Sequence, residues 1–234
     1  KKNNLLNMDT ISILSCYLKK NDIDNPIQSY KELIKIYLEF KDKFYINLKK
    51  ISLREMKKWK FESDSIYDLE KKFFKIQSFN IKTNFREVSK WSQPLISDHY
   101  KALNVLLIRK HNGTPNYLCQ IILEPGYKNP KFTSTIMLKN FQNKNFKYQS
   151  NSFIKENNIK IKKKIFEVIN SDEGGRFNNN QSLNYVYEVS ECEITKRQNY
   201  IWISYNQMLK LIEKKLITIE LRNLFGIINL KNLK

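Results

Sequence analysis

The fold of this chain is decided by residues 105–122, which read VLLIRKHNGTPNYLCQII. Two apolar runs, Val105–Ile108 and Tyr117–Ile122, flank the pair Asn112-Gly113. Because Asn and Gly both tolerate positive φ, this pair between apolar runs predicts a β-hairpin with a tight turn. A strand-like pattern begins near Lys71. Further strands are predicted near Thr133–Leu138, Ile165–Val168 and Leu183–Val189.

The first forty-four residues are predicted to be helical. One helix is expected over Asp9–Leu18. Asn25-Pro26 predicts the start of a second, with Asn as the cap and Pro at the first helical position. Apolar residues then recur at helical spacing and form one stripe. They are Tyr30, Leu33, Ile34, Tyr37 and Leu38.

Three more helices are predicted outside the strand region. Ser52-x-x-Glu55 is typical of a capping box that opens a short helix through Trp59, and Ser204-x-x-Gln207 is a second such box. A last short helix is expected over Glu220–Phe225. Helices, then strands, then helices predict an α+β fold with a mixed or antiparallel sheet and flanking helices. We divide the chain into a helical N-terminal extension, residues 1–44, and one module, residues 45–234.

Composition limits the classes of protein to which the chain can belong. Its 234 residues are enough to bury a core, and the formal net charge is +19. Lysine is spread along the sequence, whereas nucleic-acid-binding domains cluster positive charge on one element. A basic nucleic-acid-binding domain is therefore the least favoured interpretation. The densest run, Lys160–Lys164, is interpreted as a solvated face of a strand or helix.

The sequence gives little support for a metal site, a disulfide framework or a membrane span. The cysteines are Cys16, Cys119 and Cys192, an odd number with no C-x-x-C pair, and the histidines are His99 and His111. We expect reduced thiols and no metal site. No apolar run reaches about 18 residues, so no membrane span is expected. A cytoplasmic protein is the simplest expectation, because no apolar stretch of signal-peptide length follows the first residues.

Three short signatures combine loop-forming and chemistry-bearing residues. The first is Arg86-Glu87-Val88 followed by Trp91–Pro94, the second is Glu124-Pro125-Gly126, and the third is Ser171–Phe177. Gly and Pro mark loops in which the backbone bends or approaches a ligand closely. Charged and aromatic residues in such loops are where binding and catalysis usually occur.

In this order and spacing, the signatures resemble those of the NDP-hexose 2,3-dehydratases of deoxysugar biosynthesis. The resemblance continues through Thr133-Ser134-Thr135 and Asn140, then Tyr200–Ser204, Gln207 and Arg222. It covers roughly residues 45–228. Members of that family are usually about twice as long and carry two modules akin to the Nudix scaffold. The resemblance therefore implies a single Nudix-like module that works as a homodimer.

The resemblance also implies a reaction. The family removes water across C2 and C3 of an NDP-4-keto-6-deoxyhexose and gives a 3,4-diketo-2,6-dideoxy sugar, which would pass to a ketoreductase. The 4-ketone acidifies the C3 hydrogen, so a base removes it while an enolate develops at the C4 oxygen. An acid then protonates the departing C2 hydroxyl. The ketone is itself the electron sink, so no redox cofactor is expected.

The signatures supply candidate residues for these steps. The candidate acid–base residues are Glu173, Tyr200 and Glu124. The candidate substrate-binding residues are Arg86, Trp91, Gln93, Asn140, Arg176, Trp202, Gln207 and Arg222. Guanidinium groups suit a diphosphate, tryptophan rings a nucleobase, and amides the sugar or base. We predict that Arg86 and Glu87 lie on a strand and point to opposite faces, so only Arg86 meets the ligand.

Alternatives remain open at several of these positions. Glu173 could form a structural ion pair with Arg176, and Glu124 could accept turn N–H groups. The Tyr200 and Trp202 rings could belong to the core. The chain as a whole could be a non-catalytic sugar-nucleotide-binding subunit. The nucleotide base, the sugar stereochemistry and the assignment of base and acid are left open.

Overall fold

The structure, a computed structural model, describes residues 24–141, 153–172, 175–192, 194 and 199–229. Within these ranges the chain forms two β-sheets and a few helices, which confirms the predicted α+β class. In chain order the elements are α1 (Tyr30–Lys43), β1 (Trp59–Phe61), β2 (Ser65–Asp68), β3 (Lys75–Lys82), β4 (Lys90–Ser97), β5 (Lys101–His111), β6 (Thr114–Ile122), β7 (Lys131–Thr133), β8 (Ile136–Phe141), β9 (Lys160–Asp172), β10 (Asn180–Glu191), β11 (Tyr200–Ser204), α2 (Tyr205–Glu213) and α3 (Ile219–Asn229).

The smaller sheet is antiparallel and has the order β1-β2-β3-β4. In the pairing of β3 and β4, Lys75 lies opposite Ser97 at one end and Lys82 lies opposite Lys90 at the other. Residues 83–89 connect the two strands. The predicted strand through Arg86 and Glu87 is wrong, because both residues lie in this connection. It closes through a 2.9 Å bond from Thr83 N to Ser89 O, which makes residues 84–88 a bend.

The larger sheet has the order β11-β6-β5-β10-β9, with β7 beside β6 and β8 beside β5. It is mixed, because β5 and β10 run parallel while the other pairs are antiparallel. The hairpin predicted from Asn112-Gly113 is confirmed as β5 and β6. Asn112 has φ of 47° and Gly113 has φ of 79°, the left-handed conformations that a two-residue turn requires.

The other predicted strands differ from the observed ones in length. Those predicted at Ile165–Val168 and Leu183–Val189 are the inner parts of β9 and β10. The strand predicted at Thr133–Leu138 is divided into β7 and β8 by the buried pair Ser134-Thr135. The Thr135 hydroxyl donates to Leu118 O at 2.5 Å and accepts from the backbone N–H of Leu107 at 2.9 Å, so it takes the place of ladder bonds here.

Helix α1 begins later than predicted. Ser29, not Asn25, is its N-cap, and Ser29 forms a capping box with Glu32. The Asn25-Pro26 prediction is wrong because this segment is bound to the β5–β6 hairpin. The backbone N–H of Asn25 donates to Thr114 Oγ1, and that of Ile27 donates to Asn116 Oδ1, each at 3.0 Å.

The remaining helix predictions have mixed outcomes. The helix expected from Ser52 through Trp59 is only a three-residue 3-10 turn, and Trp59 opens β1. The capping box of Ser204 and Gln207 is confirmed at the start of α2. The final helix, α3, extends beyond the predicted Glu220–Phe225. The helix predicted at Asp9–Leu18 lies outside the described residues.

Each face of the larger sheet buries its own hydrophobic cluster, because side chains alternate along a strand. On one face, Leu106 and Ile108 pack with residues of α1, α2 and α3. There the Tyr37 ring of α1 stacks on Phe132, with 5.6 Å between centroids. On the opposite face, Leu103 and Val105 pack with Trp202 and neighbouring residues. We call these the helix face and the opposite face.

None of the helices that the structure describes combines the length and apolar character needed to cross a membrane.

Two glycines give a matched test of this backbone description. Gly113→Ala should lower the free energy of unfolding by about 1–2 kcal/mol, because a Cβ is disfavoured at positive φ. Gly226→Ala should raise it by about 0.5–1 kcal/mol, because Gly226 lies inside α3 and an added Cβ would meet no described atom within 4 Å apart from its chain neighbours and the nearby backbone of α3. Urea unfolding of both variants measures the two changes, and equal signs would contradict the assigned conformations.

Candidate functional site

The first and third signatures meet along β4. The backbone N–H of Ile96 donates to Arg176 O at 2.7 Å, and Asn178 N donates to Ile96 O at 2.8 Å. Within the first signature itself, the Gln93 side-chain amide donates to Gly175 O. These bonds attach the segment before β10 to the smaller sheet.

A side-chain clamp extends this attachment beyond the end of β4. Asp98 N donates to Asn180 Oδ1 at 3.0 Å, and Asn180 Nδ2 donates to Asp98 Oδ2 at the same distance. Asn180 is buried at the first position of β10. The two sheets are therefore fixed to each other at this end.

A cavity of about 520 Å³ lies where the sheets meet α3. Its volume is in the range of ordinary small-molecule sites. Ile96 and Asp98 line it from the smaller sheet and Phe177 from the third signature. Glu220 and Asn223 line it from α3.

The floor of the cavity is polar. Asn104 of β5 and Asn184 of β10 are register partners and lie next to Ser182. Asn104 Nδ2 donates to Asn184 Oδ1 at 3.0 Å, and Asn184 Nδ2 donates to Ser182 O and Oγ at 3.0 and 3.1 Å. These residues continue the helix face of the sheet beyond Leu106 and Val186, so its apolar packing ends where the cavity begins.

The second signature reaches the cavity through an ion pair. Glu124 Oε2 lies 2.6 Å from Lys139 Nζ, and Lys139 lines the cavity. Lys139 lies on β8, two residues after Met137, the residue that pairs with Asn104. The pair thus brings a carboxylate and an ammonium group to one wall.

Tyr127 lies beside the same wall. Its backbone N–H donates to Glu124 O at 3.0 Å, and Lys131 Nζ lies 5.0 Å from its ring centroid. Burial, and then the negative charges of Glu220 and Glu124, raise the pKa of Tyr127 to about 12. The phenol is therefore a neutral hydrogen-bond donor at physiological pH, next to two carboxylates.

A second, more open groove of about 640 Å³ lies at the tip of the β3–β4 hairpin. Five residues line it, and Phe85 is 88% exposed. They are Phe85, Arg86, Glu87, Val88 and Trp91, so the prediction that only Arg86 of the pair Arg86-Glu87 faces the ligand is wrong: in the bend, both line the groove. The Arg86 guanidinium lies 5.9 Å from the Trp91 ring centroid. Trp91 Nε1 donates to Gln93 Oε1 at 2.6 Å, so the first signature is built as one unit.

The family model for NDP-hexose 2,3-dehydratase matches residues 31–228. The chain belongs to the NDP-hexose 2,3-dehydratase family. The dTDP-4-dehydro-6-deoxy-alpha-D-glucopyranose 2,3-dehydratase of Amycolatopsis orientalis is 23% identical over 228 residues, which are 96% of this chain and 48% of that protein. A protein of the same name from Saccharopolyspora spinosa is 23% identical over 242 residues, with 91% of this chain and 49% of that protein covered. The chain thus spans about half the length of these curated relatives.

Two residues that the family resemblance singled out lie on the opposite face of the sheet from the cavity. Tyr200 packs against Phe153, with 5.6 Å between ring centroids, and Trp202 is only 8% exposed. Their neighbours Ile201 and Ile203 occupy the helix face. Alternation along β11 therefore directs Tyr200 and Trp202 away from the cavity of the same chain.

Gln207 is also remote from the cavity lining. It is 3% exposed, and its side-chain oxygen accepts from the backbone N–H of Ser204 at 3.0 Å. Its Nε2 donates to Gln28 O at 2.7 Å. Both polar atoms of the amide are thus used in holding α2 and the segment before α1.

The two arginines predicted to bind the diphosphate are exposed near the cavity. Arg176 precedes the lining residue Phe177, and its guanidinium lies 5.9 Å from that ring centroid. Arg222 precedes Asn223 on α3. Glu173 lies outside the described residues, and of Asn140 only the backbone, in β8, is described.

Sequence reasoning missed Glu220, Lys139, Tyr127 and Asn104. Only Tyr127 carried a signal, since it directly follows Glu124-Pro125-Gly126. Glu220 and Asn104 come to the cavity through contacts between distant segments, which no local pattern encodes.

No histidine or cysteine of the described part of the chain lines the cavity. Burial and the nearby Lys75 and Lys71 lower the pKa of His99, which does not line the cavity. Burial raises the pKa of the Cys119 thiol, and raises that of Cys192 to about 11. Among the described residues, no three His, Cys, Asp or Glu side chains are grouped so that they could hold a metal ion.

The electrostatic surroundings of Tyr127 can be tested by titration. The parent protein and Tyr127→Phe are titrated, and the difference in their tyrosinate absorbance reports Tyr127 alone. This difference should have its midpoint near pH 12, not near the ordinary tyrosine pKa of about 10. Glu220→Gln should move this midpoint down, because it removes a negative charge that disfavours the phenolate.

Glu213→Gln, at the exposed end of α2, is the matched control and should leave the midpoint in place. Equal effects of the two glutamate variants would contradict the placement of Tyr127 beside Glu220.

Proposed function

We propose that this chain is a sugar-nucleotide 2,3-dehydratase, which eliminates water across C2 and C3 of an NDP-4-keto-6-deoxyhexose. One observation carries the proposal: the cavity lies where the third signature meets a residue that follows the first signature and a lysine that is ion-paired with the second. Ile96 follows the first on β4, Lys139 is paired with Glu124 of the second, and Phe177 ends the third. Family membership supports the reaction class.

Glu220 is our proposed base for the C3 proton. Its carboxylate lines the cavity at the first turn of α3, opposite the polar floor. The 4-ketone of the substrate delocalises the electron pair that proton removal leaves behind. A positioned carboxylate can therefore perform this step without a redox cofactor.

Lys139 is our proposed stabiliser of the enolate. Negative charge develops at the C4 oxygen as the C3 proton leaves, and an ammonium group beside it lowers the barrier. Glu124 lies 2.6 Å from this ammonium group and holds it in position. Glu124, predicted from the sequence as an acid–base residue, thus acts in this proposal through Lys139.

The departing C2 hydroxyl needs a proton. Glu173 and Tyr200 are the residues that the sequence offers for this step. Tyr200 lies on the opposite face of the sheet, so within one chain the proposal retains only Glu173 for this step, as a prediction from the sequence. The proposal leaves out Trp202 and Gln207, because both are buried away from the cavity.

The nucleotide would extend from the cavity towards the β3–β4 tip. Trp91 and Ile96 are five residues apart on β4, which at ~3.3 Å per residue separates them by about 17 Å. The backbone of Gly175 and Arg176 is bonded along this path. We propose Arg176 and Arg222 for the diphosphate and the groove of Arg86 and Trp91 for the nucleobase. Gln93 and Asn140 remain proposals for polar contacts.

We also propose a homodimer of Nudix-like modules, residues 45–234, each with a helical extension over residues 1–44. The match to about half of each curated relative supports a second copy. The unstable diketone product would pass to a ketoreductase, and a cytoplasmic location remains a prediction. We do not propose nucleic-acid binding for this chain.

A second candidate function is a non-catalytic sugar-nucleotide-binding subunit. It is favoured by the half-length match and by the distance of Tyr200 and Trp202 from the cavity. Such a subunit would bind the nucleotide sugar and need a partner for chemistry.

Turnover without added cofactor tests the leading proposal. The purified protein should remove one water, 18 mass units, from one member of an NDP-4-keto-6-deoxyglucose panel, as followed by mass spectrometry with diketone trapping. Glu220→Gln should slow this loss at least about 100-fold, because it removes the base. Glu213→Gln should not.

Saturable binding of a sugar nucleotide with no loss of water would contradict the dehydratase and select the non-catalytic subunit. Unchanged turnover in Glu220→Gln would contradict only the assignment of Glu220 as the base, and not the proposed reaction.

A further inference from the structure

We propose that Asn104 is a specificity-determining residue, whose side-chain oxygen accepts a hydrogen bond from the C3 hydroxyl of the bound sugar. The inference rests on the proposed function and deepens it, because it states which substrate group the cavity floor recognises. The observation behind it is a buried polar atom that lacks a partner.

Asn104 Oδ1 is buried and has no hydrogen-bond partner among the described residues. The residue is 2% exposed and lines the cavity. Buried carboxamide oxygens are normally hydrogen-bonded, since leaving one unpaired costs free energy. An unpaired acceptor at the floor of a ligand-sized cavity indicates that the ligand supplies the missing donor.

The orientation of the Asn104 amide is fixed by its neighbours. Ser182 O is a backbone carbonyl and can only accept, so the Asn184 group facing it must be the NH₂. The Asn184 oxygen therefore faces Asn104 and accepts from Asn104 Nδ2 at 3.0 Å. This bond uses one N–H of Asn104 and fixes the orientation of its amide, and the oxygen is the atom that has no partner among the described residues.

This arrangement selects the kind of group that can lie on the floor. A phosphate oxygen or a ketone only accepts, so either would face an acceptor and be repelled. A sugar hydroxyl can donate. The sugar, and not the diphosphate, is therefore the part of the nucleotide that meets Asn104 Oδ1.

The elimination chemistry distinguishes the two hydroxyls of the substrate. The C2 hydroxyl has to gain a proton as it leaves, and a carboxamide oxygen has none to give. During the elimination the C3 hydroxyl keeps its oxygen and its proton while C3 loses its hydrogen. The hydroxyl proton leaves only afterwards, when the resulting enol takes up a proton at C2 and becomes the 3-ketone. An acceptor of the Asn104 type therefore fits the C3 hydroxyl, and it orients C3 towards the opposite wall with Glu220.

Binding of unreactive analogues tests the assignment. The probes are dTDP-6-deoxyglucose, in which C4 carries a hydroxyl so that no elimination occurs, and its 3-deoxy and 2-deoxy counterparts. Titration calorimetry should show that removing the C3 hydroxyl raises Kd about tenfold or more, whereas removing the C2 hydroxyl has a smaller effect. Equal affinity for the parent and 3-deoxy sugars would overturn the assignment without any variant.

The same pair of ligands, the parent and 3-deoxy sugars, is then measured with the variant Asn104→Leu. Without the acceptor, the ratio of the two dissociation constants should fall to about one, and Asn104→Ala serves if the leucine variant does not fold. Asn223→Leu, at another cavity asparagine, is the matched control and should retain the full ratio.

A ratio that persists in the Asn104 variants would overturn the assignment while leaving sugar-nucleotide binding intact. Failure of all three dTDP sugars to bind, together with no loss of water from any member of the NDP-4-keto-6-deoxyglucose panel, would overturn the proposed function as well, so the two failures are distinguishable.

Discussion

Strands β5 and β10 lie side by side in parallel. Their pairing begins with Ala102 opposite Ser182 and ends with Ile108 opposite Glu188. Parallel neighbours begin at the same end of a sheet, so the segments that lead into them must also meet there. The segment before β5 comes from β4 and the first signature, and the segment before β10 is the third signature. The bonds between Ile96 and Arg176 form at this meeting point, and the cavity lies beside them.

The character of the cavity follows from where the apolar packing of the sheet stops. Leu106 and Val186 are covered by helices, whereas the next residues on the same face, Asn104 and Asn184, are polar and line the cavity. One side of the cavity thus offers fixed amides and the other offers Glu220, with Lys139 at the wall. Such a distribution suits a sugar that has to be oriented on one side and deprotonated from the other.

Local patterns predicted the local structure of this chain well. Asn112-Gly113 set the turn by itself, and Ser204 with Gln207 capped α2 as expected. The predicted start of α1 at Asn25-Pro26 was wrong. Asn25 and Ile27 are instead bonded to Thr114 and Asn116, which are distant in sequence. The site was only partly predictable for the same reason. The signatures named Glu124 and Arg176, whereas the places of Glu220 and Asn104 depend on which strands become neighbours, and no short pattern carries that information.

The central claim is that the sugar of a nucleotide sugar binds in the cavity between the two sheets and α3. A crystal structure of the protein with dTDP-6-deoxyglucose tests it most directly. Our account predicts the sugar ring over Asn104 and Asn184, with Glu220 on its other side. A sugar bound on the opposite face, against Tyr200 and Trp202, would contradict it.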